Sequence, residues 1–454
     1  MPKSRCAAAI ATLVLSLLVS RSTVAQEHRH PAAAAPADSA VADSAAMSPK
    51  AMMAMQPGPL GIARTREGSG TAWLPDASPM HALHRQAGSW ELMLHGSLFV
   101  HYLDDGGDRG WEQFGASNWI MGMARRRAGG GDLTLRAMLS ADPLTVGECG
   151  YPDLLATGEF CGGEPLHDRQ HPHDLFMELA GVYERVMGDD LALQLYGGPV
   201  GEPALGPVAF PHRISSFPNP VAPVGHHWLD STHIAFGVAT AGVYGRRWKA
   251  EGSLFNGREP DAERYDFDLD ALDSYAGRLW FLPNERWALQ VSAGRLNEAE
   301  VHEVGGPRID VTRMTASANH HRALGEEGVW ASTLAWGRNR EGGEATQVFL
   351  AETNLNLAER DIIYGRVEVA EKTGGDLALP EEFEERLFTA GKLGLGYVRQ
   401  LDPVGGLVPG LGVGVTVSRV PDDLELFYGS TTLTGLQLFF RLRPVPMMAE
   451  GHAH

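Results

Sequence analysis

The stretch that decides the fold is Trp90-Glu91-Leu92-Met93-Leu94-His95-Gly96-Ser97-Leu98-Phe99-Val100-His101. Trp90, Leu92, Leu94, Gly96, Leu98 and Val100 share one face. Glu91, Met93, His95, Ser97, Phe99 and His101 share the other. A strand turns successive side chains to opposite sides, so alternation of this kind is the strand period and not the helical one. Similar alternation returns near 246–256, 286–296, 328–338 and 431–441. Working outward, sixteen strands are expected, at 88–102, 111–126, 131–140, 174–187, 190–200, 231–243, 246–256, 272–282, 286–296, 309–321, 328–339, 345–357, 361–371, 386–401, 407–419 and 431–443.

The connections carry as much information as the strands. Those at 141–173, 201–230, 257–271, 297–308 and 372–385 are long. The intervening ones are short, such as 128–130, Gly188-Asp189, Gly245 and 283–285, and the link at 340–344 is the main exception. Alternating long and short links are the signature of an antiparallel outer-membrane β-barrel with long external loops and short periplasmic turns. An even strand count puts both termini on the periplasmic side. A soluble propeller would repeat every ~40–50 residues, and no such repeat is present.

Composition agrees. Gly supplies 54 of 454 residues, charged residues 21%, and the formal charge is −18. A slightly negative mean hydropathy argues against a bundle of membrane-spanning helices. The acidic balance, with no basic patch, argues against nucleic-acid binding. Hydrophobic residues at 44% in patterned segments exclude wholesale disorder.

Four segments are expected. Residues 1–25 read as a secretory signal: basic Lys3 and Arg5, an apolar run, and small residues ending at Ala25. Residues 26–87 are rich in Ala, Pro, Ser and Met without a period, and are expected to be unstructured. Residues 88–443 are the barrel, and 444–454 a flexible tail carrying Met447, Met448, His452 and His454. Export leaves Cys149 and Cys161, which should pair in an oxidising compartment; paired thiolate metal ligands are the other reading.

The stretch 198–261 contains Gly201-Glu202-Pro203-Ala204-Leu205-Gly206-Pro207, Phe210-Pro211-His212-Arg213, His226-His227-Trp228, Asp230-Ser231-Thr232-His233 and Phe255-Asn256-Gly257-Arg258-Glu259-Pro260-Asp261. It resembles a family of largely uncharacterised, porin-like bacterial outer-membrane barrels often associated with copper or other heavy-metal handling. The resemblance spans about Gly88 to Pro444 and implies the fold more than any chemistry. The chain departs from the wider pattern in that Phe439-Phe440 is followed by a tail and not by the terminus.

Four constellations are candidates for function. His167-Asp168-x-x-His171-Pro172-His173-Asp174 sets imidazoles beside carboxylates, which suits Zn²⁺ or Cu²⁺; a polar loop bonding its own backbone is the plainer reading. The Pro-stiffened loop 201–230 holds His212, His226 and His227, with His233 just beyond. It is long enough to be functional, as a constriction at the barrel mouth. His171, His173, His226 and His227 fall on the same, external side, where they would converge. Glu91, His95 and His101 face the lumen, where side chains set selectivity or fill a narrow bore. Met and His in both tails would suit copper. Copper or zinc are thus the expected metals, and no cofactor is required.

Catalysis is not expected. Asp230-Ser231-Thr232-His233 has hydrolase-type residues, but on a strand Asp230 would face away from Ser231 and His233. No GxSxG, P-loop or HExxH occurs. The expectation is a porin-like barrel in outer-membrane lipid, passing or binding small polar solutes or metal ions, with a homotrimer as the common assembly for such pores. A non-conducting metal-sequestering barrel is the alternative, and an outer-membrane hydrolase the third reading.

Overall fold

The computed structural model describes residues 57–301, 306–325, 328–357 and 360–447. The signal segment, Met47 to Met55 and the last residues, including His452 and His454, lie outside them.

Sixteen antiparallel strands close into a barrel. They are β1 (Trp90–Asp105), β2 (Glu112–Ala128), β3 (Gly131–Leu139), β4 (Phe176–Val186), β5 (Ala192–Val200), β6 (Val238–Tyr244), β7 (Trp248–Phe255) and β8 (Ser274–Asn284). Then follow β9 (Trp287–Val301), β10 (Arg308–Leu324), β11 (Gly328–Glu341), β12 (Glu344–Leu357), β13 (Asp361–Lys372), β14 (Phe388–Gln400), β15 (Leu407–Arg419) and β16 (Thr432–Pro444). Every expected strand is present within a few residues, except that β6 starts later than 231. There, Ser231–His233 is a 3₁₀ turn.

The barrel closes where β16 pairs with the upper part of β1, from Gly435↔Asp105 to Leu442↔Leu98. Below that, Leu83–Ala87 folds back on Trp90–Leu94 and covers the edge that β16 leaves bare. An uncovered edge would offer unpaired backbone groups.

The outer surface is apolar and the interior charged. Leu334 is 59% exposed, Phe281 53% and Val415 52%, whereas Arg278, Arg313 and Arg441 are each 1% exposed. In water this distribution would be inverted. With lipid outside and a polar lumen inside, it is the stable one. Trp248, Trp287 and Trp330 are exposed near the short-turn ends of β7, β9 and β11, as an interfacial aromatic girdle requires. No helix among the described residues is long and apolar enough to cross a membrane.

The lumen is filled from both ends. Residues 57–82, expected to be unstructured, are folded inside the short-turn half. Two 3₁₀ turns, Pro59–Gly61 and Arg64–Arg66, shape the segment. Arg64 pairs with Asp132 at 3.1 Å, and Arg125 with Glu67 at 2.6 Å. Trp73 packs edge-on to Tyr244, with the cations of Arg66 and Lys249 over its ring, each 4.8 Å from the centroid. Sequence statistics mislead here because the segment has no period of its own; the barrel wall supplies its partners.

From the other end the segment 201–237 runs inward and meets this plug. Val208 and Ile214 share a core with Leu60, Ala72, Trp73 and Leu74, and the Ala209 N–H donates to Ser69 Oγ at 2.9 Å. Gly70 lies in the left-handed region at φ +49°, and a Cβ there would come within 2.7 Å of Glu202 Cβ. Only glycine fits both demands. A hairpin, Tyr151–Cys161 with Glu164–Gln170, caps the long-loop half, tied by the Cys149–Cys161 disulfide. The expected tail begins with Pro446 and Met447 pairing with His81 and Met80, so its first residues are part of the fold.

Candidate metal centre in the barrel lumen

Five imidazoles from two inward segments meet inside the barrel. His171 and His173 flank Pro172 in the run leading into β4. His226 and His227 open the helical turn His226–Leu229, and His233 closes the turn Ser231–His233. Ring centroids are 5.8 Å apart for His171–His226, 5.6 Å for His171–His227, 5.4 Å for His226–His227, 5.2 Å for His226–His233 and 5.4 Å for His173–His233. All five are at least nine-tenths buried.

The wall fixes the segments that carry them. The Gly225 and Val224 N–H groups donate to the Glu368 carboxylate at 2.9 and 3.1 Å. Arg213 bridges Asp230 at 3.0 Å and Glu352 at 2.5 Å, and Arg366 holds Glu352 at 3.0 Å. Trp228 Nε1 donates to Thr346 Oγ1 at 2.8 Å. A proline-rich segment with little regular structure is thereby held in one conformation.

Each ring is oriented through Nδ1. His173 Nδ1 lies 2.8 Å from Asp142 Oδ2, His226 Nδ1 2.9 Å from Asp230 Oδ1, and His227 Nδ1 2.9 Å from Glu259 Oε1. His171 Nδ1 is 3.2 Å from the Pro172 carbonyl and 3.3 Å from Glu159 Oε1, and His233 Nδ1 2.8 Å from the Asp230 carbonyl. The Nε2 atoms of His171, His173, His227 and His233 are buried and have no hydrogen-bond partner among the described residues. A carboxylate or carbonyl on one ring nitrogen and a vacant lone pair on the other is the arrangement of a metal-binding histidine. Left unsatisfied, each buried nitrogen costs about 1–3 kcal/mol; an ion or a water relieves it.

Burial, reinforced by Arg264 and neighbouring rings, holds His171 well below the usual imidazole range. Burial also depresses His226, although the Asp230 bond opposes it, and depresses His233 well below the usual range. These three rings are therefore neutral at neutral pH, the form that ligates. Burial opposes ionisation of Asp230, but His226 and Arg213 outweigh it and keep its carboxyl below the ordinary range.

Among the described residues, His227, Glu259 and Glu300 already bring three donor atoms within 4.8 Å of one another, as do the more exposed Asp261, Asp266 and Asp268. The five-histidine set is more open, so drawing three of its nitrogens onto one ion takes rotation of the rings.

Of the residues singled out from sequence, the structure brings together His171, His173, His226 and His227. His167 lies apart, partly exposed and bonded to Asp168, which Arg109 also holds at 2.7 Å. Asp174 faces Arg264 at 3.7 Å, and burial raises its carboxyl to about 8. His233, noted in the sequence only as lying just beyond the loop, joins the cluster; Glu159, Asp142 and Glu259 are identified only by their approach in space. Glu91 sits by His84 at 3.7 Å near the short-turn end, and His101 lies under Tyr151 with both ring nitrogens unpartnered among the described residues. His95 and His212 meet at 5.5 Å between ring centroids, beside Trp119. Ser231 Oγ accepts from Arg313 at 2.8 Å, and His233 Nδ1 faces a carbonyl. No Ser–His pair of the hydrolase kind is formed there.

Fold and surface together define a membrane-spanning, porin-like β-barrel with an occupied lumen. No family model matches the chain, and no curated protein does. Solved structures that resemble it include an anion-selective porin from Comamonas acidovorans, with 12% identity, 78% of this chain and 99% of that one covered, and a TM-score of 0.45. OmpF of Salmonella typhi in complex with daunomycin shows 8% identity over 79% and 100%, with a TM-score of 0.47. The outer-membrane channel DcaP of Acinetobacter baumannii shows 8% over 80% and 100%, with a TM-score of 0.45. At this distance nothing about the site is carried across from them.

Proposed function

We propose that this chain is an outer-membrane barrel that binds a divalent transition-metal ion, Cu²⁺ or Zn²⁺, inside a lumen closed at rest. The observation that carries the reading is the convergence of five buried imidazoles, four with vacant Nε2 atoms and all with Nδ1 fixed by an oxygen. Imidazole backed by carboxylate suits both ions. His171, His226 and His227 are the nearest three mutual neighbours. His173 and His233 extend the set toward Phe210.

Passage of small polar solutes belongs to the same proposal as its conducting state. A sixteen-strand barrel is wide enough for an aqueous channel once its contents move. As described, residues 57–82 and 201–237 fill the bore, which favours binding over free diffusion. The short turns, and with them both termini, would face the periplasm. Trimeric assembly is part of the proposal too, and light scattering of the detergent-solubilised protein tests it.

The decisive experiment is calorimetric titration of the purified full chain with Cu²⁺ and Zn²⁺. His171→Ala with His173→Ala should weaken binding tenfold or more, about 1.4 kcal/mol. Equal affinity would remove this centre as the site.

A further inference from the structure

A second cluster in the lumen has softer chemistry. On the inner faces of β1 to β3, directly opposed cross-strand pairs are His95↔Met121, Met93↔Met123 and Met121↔Met138. Opposed residues place their Cβ atoms about 4.5–5.5 Å apart, so thioethers and an imidazole share one patch of wall. Met121, Met123 and Met138 are 3%, 8% and 4% exposed. Met121, Met123 and Met138 share one apolar cluster with Met177, Val200, Ile234 and Phe236, so sulfur is concentrated here.

The loop that carries the histidine centre also reaches this patch. Phe210 touches His173, His226 and His233, while His212, two residues on, points its Nε2 at Met138 Sδ from 3.5 Å. The Trp119 ring lies 4.8 Å from the His212 ring and 5.3 Å from that of His95. His95 Nε2 is buried and has no partner among the described residues. A cavity of about 70 Å³, enough for an ion and a few waters, is bordered by Met93, His95, Trp119, Met121, Met123 and His212; Met138 reaches it only through its 3.5 Å contact with His212. Arg136 also borders the cavity, but its charge is met by Glu178 at 3.7 Å and Glu67 at 3.8 Å.

We propose that Met121, Met138, His95 and His212 form a site for a soft monovalent cation, Cu(I) or Ag(I), with Trp119 and Met93 at its rim. Thioether sulfur prefers soft cations and imidazole accepts them, which excludes Ca²⁺ and Mg²⁺ and disfavours Zn²⁺. An indole beside the ion adds cation–π attraction. Leucine would fill the same volume, so packing alone does not call for four methionines beside an imidazole whose Nε2 has no partner among the described residues. This site is distinct from the histidine centre and stands without it.

The test uses the full chain in detergent and two probes. Ag(I) is added as nitrate; Cu(I) is kept reduced with ascorbate and competed with a coloured chelator. Wild type should bind one equivalent of each and quench Trp119 fluorescence. Met121→Leu with Met138→Leu conserves volume and should weaken both ions at least 100-fold, with Zn²⁺ affinity unchanged within twofold. Heat-modifiability on a gel verifies that the variant folds. Should it not fold, methionine methyl NMR of wild type decides, because the methyls of Met121 and Met138 must shift on adding Ag(I). Wild-type affinity in the variant, or unshifted methyls, overturns the site. Wild type that binds Ag(I) but not Zn²⁺ would instead overturn only the histidine centre.

Discussion

Trp73→Ala should loosen the plug and leave the barrel wall intact. Trp73 is 6% exposed and packs against Tyr244 beneath two cations. Removing a buried Trp costs about 3–5 kcal/mol through lost transfer energy and the cavity left behind. Here that cost falls on the docking of residues 57–82, because the strands keep their own ladders. At about 1.4 kcal/mol per decade, the docked-to-undocked ratio should fall by roughly 10²- to 10³-fold or somewhat more. Hydrogen exchange reads this ratio directly, since amides exchange through local opening. The Ala72 and Leu74 amides, bonded to the Ser69 and Arg66 carbonyls at 2.7 and 2.8 Å, should accelerate by that factor. Amides in β11 and β12 should not change. Uniform acceleration through the strands, or none in the plug, would refute the view that this segment docks as a separable unit.

Other expectations follow from single contacts. Burial raises the Glu202 carboxyl from 4.5 to about 7 although Arg278 opposes the shift. A raised carboxyl favours the docked state most below about pH 4.5, and that contribution is lost as pH rises through 7. Plug protection from proteolysis should therefore fall across this window, and Glu202→Gln should flatten the dependence; an unchanged slope would exclude Glu202 as its source. A Cβ at Gly158 falls on the His227 ring, and its φ of +115° strains any L side chain. Gly158→Ala should displace that ring and lower Cu²⁺ affinity while leaving Ag(I) binding alone, which calorimetry measures. Cys149→Ser with Cys161→Ser, opening a link across 12 residues, should destabilise the capping hairpin by about 3 kcal/mol on the chain-entropy estimate. Faster protease cleavage between 151 and 170, with the barrel intact, would show it, and unchanged cleavage would contradict it.

How legible was all this in the chain? The strands were, because a period of two is imposed by lipid on one side and polar groups on the other. Trp90 through His101 display both environments residue by residue. Link lengths told the strand order and which ends carry loops. What lies inside the barrel was much less legible. Residues 57–82 have no period because their partners, Arg125, Asp132 and Lys249, belong to the wall and not to the segment. The histidines at 171, 173, 226 and 227 were visible as residue types, but the oxygens that orient them come from positions as remote as 142 and 259. His167 and Asp174 looked equivalent to their neighbours in sequence and are turned to Asp168 and Arg264 instead. Met93, Met121 and Met138 read simply as strand residues, and only cross-strand register reveals that they meet.

The most direct test of the central claim is anomalous diffraction at the Cu or Zn edge from crystals of the full chain grown with the ion. The account predicts a peak inside the lumen, within bonding distance of ring nitrogens from His171, His226 and His227. A lumen without such a peak, or anomalous signal confined to the carboxylates of Asp261, Asp266 and Asp268, would contradict it.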